Sequence, residues 1–157
     1  MPVFNRVWID PATGTPKPFD LLLRGPALAV EVSVPALLAA ALTARSIPLP
    51  APQPGSALID TGASVTAVDM EVLQRLGLPP VATGTVVTPS GSETQGVYVV
   101  RLTFPGTPIP PLDPMPVMGS QLRGFGHIVL LGRDLLQGAL LIYGPPGSSV
   151  GSPKIWG

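Results

Sequence analysis

The sequence predicts an all-β fold, a closed barrel of short strands with one or two short helices. Three observations carry this. The 157 residues include 22 Pro and 18 Gly, and these fall between short apolar runs. The runs alternate or are wholly apolar over four to eight residues, the length of strands rather than of helices. A hydrophobic content of 45% supplies the apolar surface to order a backbone that so much Pro and Gly would otherwise leave unfolded. The length suits one domain with tails: an irregular N-terminal arm at 1–26, a folded domain at 27–143 and a C-terminal tail at 144–157.

The elements follow in order. In the arm, Val3, Phe4, Val7 and Trp8 are apolar groups able to dock on the domain. Leu28, Val30, Val32 and Val34 alternate, so Ala27 to Val34 reads as a half-buried strand. Pro35 suits a first helical position, and Ala36 to Arg45 is built of strong helix formers expected to pack into the core. Prolines at alternate positions from Ile47 to Gly55 predict an extended connector. Ala57 to Asp60 is an apolar run ending in a carboxylate. Val68, Val72, Leu73 and Leu76 stand at helical spacing, with Asp69 as N-cap, Gly77 as stop and Pro79-Pro80 beyond. Thr85 to Thr88 and Gln95 to Phe104 flank the turn signal Pro89-Ser90-Gly91-Ser92 and predict a long hairpin. Pro105 to Met118 reads as a Pro-rich loop, Ile128 to Leu131 as an apolar strand closed by Gly132, Arg133 to Leu136 as a turn or helical stub, and Ala139 to Tyr143 as a last strand.

Composition removes several kinds of function. Nine basic and nine acidic residues leave no net charge, and the Arg and Lys are scattered singly, which disfavours nucleic acid and anionic membrane as partners. The longest uncharged run, Val32 to Thr43, contains Pro35 and is too short to span a bilayer; Met1 to Asp10 does not read as a secretory signal, and a cytoplasmic location is expected. With no Cys and one His, thiolate chemistry and His-paired metal sites are not expected, and no cofactor is implied. Charged residues make up only 11%, so apolar surface is left for a partner and an oligomer is favoured.

One segment concentrates unusual choices. Leu58-Ile59-Asp60-Thr61-Gly62-Ala63-Ser64 delivers a carboxylate from an apolar strand to a sharp turn with hydroxyls on either side. With the hairpin at Thr85 to Val100 and with Ile128-Val129-Leu130-Leu131-Gly132-Arg133-Asp134-Leu135-Leu136, it resembles the retropepsin-like aspartic proteases, the single-lobed relatives of pepsin, and looks more like their non-viral members. The resemblance spans about Ala27 to Tyr143 and implies a retropepsin-like closed barrel and an aspartic endopeptidase. Water attack on an amide needs one carboxylate to take a proton and a neighbouring carboxylic acid to polarise the carbonyl; two such groups in contact cannot both ionise. The chain has one Asp-Thr-Gly, so the second acid has to come from a second copy. A homodimer joined at Asp60 is therefore expected, acting on peptide or protein substrate.

The resemblance assigns roles residue by residue. Asp60, Thr61 and Gly62 form the catalytic loop, Thr61 bonding across the dimer axis and Gly62 admitting substrate backbone. Ala63 and Ser64 line the substrate, as do Thr88, Pro89, Ser90, Gly91 and Ser92 at a hairpin tip that closes over it. Gly132 and Arg133 are structural. Viral relatives carry an acid where Ser64 stands, so Arg133 needs another partner, with Asp134 or a carbonyl as candidates.

Plainer readings stand beside these. Asp60 can be a turn residue capping its own backbone, Asp69 a helix cap, Asp134 a turn or cap residue, and His127 a packing or surface hydrogen-bonding group. Trp8, Tyr98 and Trp156 read as docking or core groups. Glycoside hydrolysis finds no second acid to pair with Asp60. A catalytically silent domain of the same fold, dimerising or binding extended peptides, is the rival to the enzyme. The arm Met1 to Pro26, lying over the cleft or bracing the dimer, would make a regulated form.

Overall fold

A computed structural model describes residues 12–14, 25–88, 91–122, 124 and 126–138. The arm's apolar groups, Pro89, Ser90, the strand expected at Ala139 to Tyr143 and the tail lie outside the described residues. Seven strands form one sheet: β1 (Ala27–Ser33), β2 (Gln53–Ile59), β3 (Ala67–Asp69), β4 (Ala82–Thr88), β5 (Gly91–Thr103), β6 (Leu112–Ser120) and β7 (Val129–Leu131). Their order is β1-β2-β7-β3-β6-β5-β4, and β1 also pairs with β5. That extra pairing closes six strands into a ring and leaves β4 attached outside it. Three short helices complete the described fold, α1 (Ala36–Ala44), α2 (Met70–Arg75) and α3 (Arg133–Leu136).

The ring is filled by its own strands. Val30 and Val32 from β1, Val68 from β3, Val100 and Leu102 from β5 and Val129 from β7 are fully buried, and the alternation seen in β1 is what turns every second side chain inward. Helix α2 caps this core with Val72 and Leu73, followed by Leu76. Asp69 is its N-cap, accepting from the Glu71 N–H at 3.0 Å, while its second oxygen takes the Leu122 N–H at 2.9 Å. The chain then turns away through Gly77, whose φ of +65° lies in the left-handed region.

Several expectations are corrected. Pro105 to Met118 is not all loop, because Leu112–Ser120 forms β6 against β5. Its prolines are tolerated because β3 pairs only with Met118 to Ser120, so the other edge of Leu112 to Val117 has no strand partner among the described residues. For the same reason Gln53 to Gly55 belongs to β2 rather than to the connector: β7 reaches only Ala57 to Ile59, and Pro54 pairs with Glu31 of β1 alone. Val68 lies in β3 rather than on the helix, which begins at Met70 directly after the Asp69 cap. Helix α1 is not packed into the core: it has no buried residue, and Leu37 is 83% exposed. With Leu or Ala on every side it has no single face to bury, and only Ala39 of α1 packs against the filled ring. Its first turn is instead held electrostatically, the Ala36 N–H lying 3.1 Å from an Asp113 oxygen that also sits 3.6 Å from Arg101.

The hairpin is longer and tighter than its turn signal suggests. Pairing runs from Ala82 with Val97 to Thr88 with Gly91, so Gly91 and Ser92 already belong to β5. Strand β6 pairs with β5 only from Val97 onward. Residues 91–96 therefore have β4 as their sole strand partner among the described residues, and the hairpin projects from the ring as a two-stranded ribbon.

Candidate functional site

Strand β2 ends at Ile59, tied by its N–H to the Pro26 carbonyl at 2.8 Å, and Asp60 follows with its own N–H on the Leu131 carbonyl at 3.0 Å. The carboxylate is thus set at the mouth of two parallel strands, β2 and β7. One oxygen, Oδ1, accepts from the Gly62 N–H at 2.9 Å and from the Ala63 N–H at 3.3 Å. Asp60 does therefore cap its own turn, as the plainer reading has it. Oδ2 accepts no hydrogen bond among the described residues, and the residue is half-buried. One carboxylate oxygen serves the loop and the other is left for something else.

Gly62 leaves room for this geometry: a β-carbon there would stand 3.1 Å from Asp60 Oδ1, closer than ordinary van der Waals contact. Thr61, Gly62 and Ser64 are exposed and Ala63 is half-buried, so the hydroxyls flanking the turn face outward.

The two sequence segments singled out around Asp60 and Gly132 meet. The Arg133 N–H donates to the Ala63 carbonyl at 3.0 Å and the Asp134 N–H to the Ser64 carbonyl at 3.2 Å. Gly132 is buried under the same loop, where a β-carbon would lie 2.4 Å from the Val65 carbonyl carbon, a backbone-to-backbone approach that only Gly allows. The Arg133 side chain is exposed and makes no ion pair among the described residues, so neither candidate partner holds it; Arg133 joins the site through its backbone. Asp134 faces Thr66 instead, accepting its N–H at 2.9 Å and its hydroxyl at 2.8 Å. Thr66 escaped the sequence reading because a threonine between Val65 and Ala67 looks like one more strand residue; its only signal was a hydroxyl within a buried apolar run.

The remaining residues lie elsewhere. Gly91 and Ser92 pair with Thr88 and Val87 at the ribbon's end, and Pro89 and Ser90 are outside the described residues. His127 Nδ1 lies 3.1 Å from Ser56 Oγ, a half-buried surface pair. A cavity of about 220 Å³, lined by Asp69, Glu71, Arg75, Leu122, His127 and Ile128, touches the second motif segment at Ile128 and includes no residue of the Asp60 loop. Tyr98 is a core residue. Among the described residues no cluster of three or more His, Cys, Asp or Glu is arranged to hold a metal, and no helix is long and apolar enough to cross a membrane.

A family model described as aspartyl protease matches residues 52–135, which contain both Asp60 and the Gly132 segment. Among solved structures the chain is similar to the simian foamy virus (mac) protease, at 19% identity over 71% of this chain and 92% of that one, with a TM-score of 0.43. It is similar also to the EIAV protease complexed with the inhibitor HBY-793, at 19% identity over 75% of this chain and 92% of that one, with a TM-score of 0.47. No curated protein matches it in sequence.

Proposed function

The chain belongs to the aspartyl protease family, and from that premise we propose that it is a retropepsin-like endopeptidase working as a homodimer, with one Asp60 from each copy around a single water. The observation that carries this reading is the division of labour on the carboxylate: Oδ1 is fixed by the Gly62 and Ala63 N–H groups, and Oδ2 is left for a partner. A second copy of Asp60 fits that vacancy of roles, because two carboxyl groups in contact hold one proton between them and so become stable side by side.

The chemistry then follows from one shared proton. The ionised Asp60 takes a proton from water while the protonated copy donates its own to the substrate carbonyl oxygen. A C–O bond forms and the carbonyl becomes a tetrahedral diol. The acid just formed protonates the amide nitrogen, the C–N bond breaks, and a diol hydroxyl returns its proton to the other carboxylate. Neither a metal nor an organic cofactor enters these steps. The exposed Thr61 would meet its counterpart in the second copy, and Ala63 and Ser64 would line an extended peptide. The ribbon of β4 and β5 would fold over that peptide; over residues 91–96 it pairs with no third strand among the described residues.

The test is peptide cleavage by wild type and by Asp60→Asn, with the oligomeric state measured alongside. Loss of cleavage with the dimer retained is the expected result. Cleavage that persists in Asp60→Asn overturns the proposal, and a wild type inert toward diverse peptides would leave a silent dimerisation or peptide-binding domain in its place.

A further inference from the structure

We propose that Asp134 is a positioning residue for the Asp60 loop, gripping it through Thr66; the proposal rests on the protease reading of that loop. Thr66 is completely buried, yet every polar group it owns is engaged. Its N–H donates to Asp134 Oδ2 at 2.9 Å and its hydroxyl to Asp134 Oδ1 at 2.8 Å. The same hydroxyl accepts from the Gly132 N–H at 3.1 Å, and the Thr66 carbonyl accepts from the Met118 N–H at 2.9 Å. Asp134 Oδ1 also takes the Leu135 N–H at 2.9 Å, which orients the carboxylate at the start of α3.

Asp134 thereby holds the loop twice. Its backbone N–H fixes the Ser64 carbonyl, and its side chain fixes Thr66, two residues further on. With Asp60 pinned to Leu131 at the other end, residues 60–66 are clamped at both ends and between, by the Arg133 N–H on Ala63. The N–H groups of Gly62 and Ala63 can be aimed at Asp60 Oδ1 only while the loop keeps this shape. A carboxylate suits the task where an amide does not, because both of its oxygens accept and Thr66 presents two donors. Releasing one of them frees a buried donor and lets the loop relax away from the catalytic geometry, which reaction rates feel more strongly than binding does.

The experiment uses full-length protein carrying Asp134→Asn, Thr66→Val or Thr66→Ser. Three quantities are read: kcat and KM for a peptide substrate, melting temperature, and amide hydrogen exchange at Gly62 and Ala63. Asp134→Asn and Thr66→Val are expected to lower kcat about 10- to 100-fold with KM nearly unchanged, and to speed exchange at Gly62 and Ala63. Combining them should add little, since both break one clasp, and Thr66→Ser, which keeps both donors, should behave as wild type. If Asp134→Asn and Thr66→Val lower only the melting temperature and leave kcat and Gly62 exchange untouched, the residue is merely structural and the proposal falls. Should the wild type cleave no peptide at all, the protease reading fails on its own, and the exchange data alone then decide the clasp: faster exchange confined to Gly62 and Ala63 upholds it, and unchanged exchange sinks it.

Discussion

Gly132 and Val65 lie backbone against backbone: a β-carbon on Gly132 would sit 2.4 Å from the Val65 carbonyl carbon and 2.6 Å from its oxygen. Neither atom belongs to a flexible side chain, so the space cannot be made by a rotamer change. Gly132→Ala is expected to cost about 1–3 kcal/mol of stability through forced backbone displacement. Thermal or urea unfolding measures this, and a variant as stable as wild type would show that the loops separate easily.

Gly62→Ala should act differently. The added methyl meets the Asp60 carboxylate at 3.1 Å, a contact relieved by a shift of a few tenths of an ångström. Stability should change little, whereas cleavage should fall by about tenfold or more because the displaced group is the one argued to do the chemistry. Comparing kcat with melting temperature separates the two effects.

Asp69→Ala removes a buried carboxylate that satisfies the Glu71 and Leu122 N–H groups at once. A lost cap and a second unsatisfied donor together predict a loss of about 1–3 kcal/mol. Activity per folded molecule should stay at the wild-type level, since Asp69 belongs to the cap of α2 and not to the Asp60 loop.

Leu37→Lys provides the opposite control. A leucine 83% exposed on α1 contributes little to the core, and the substitution should move stability by no more than about 0.5 kcal/mol. A larger loss, measured by the same unfolding, would mean that the helix is covered in solution.

The sequence revealed those parts of the molecule in which local and tertiary demands agree. The alternation in Ala27 to Val34 became β1 because one face of that strand meets the core, and the Asp69 cap was visible because an acidic side chain preceded a helical apolar pattern. Asp60 stood out since a carboxylate at the end of an apolar strand before Gly is an odd local choice. What escaped was set by partners distant in sequence. Proline normally argues against a strand, and only the lack of a strand neighbour among the described residues along one edge of β6 and at the start of β2 makes room for Pro116 and Pro54. An Ala/Leu helix looks like core until the ring is seen to be filled without it. The Thr66 to Asp134 clasp joins residues 68 apart, and no local pattern announces such a pair.

The position of α1 has a practical consequence. Strand β1 begins beside Leu58, two residues before Asp60, and ends six residues later, about 20 Å away at the usual rise per strand residue, where α1 follows from Ala36. A dye, bead or surface tether coupled at Leu37 would hold the protein by the end of β1 remote from Asp60, leaving the Asp60 loop open to solution.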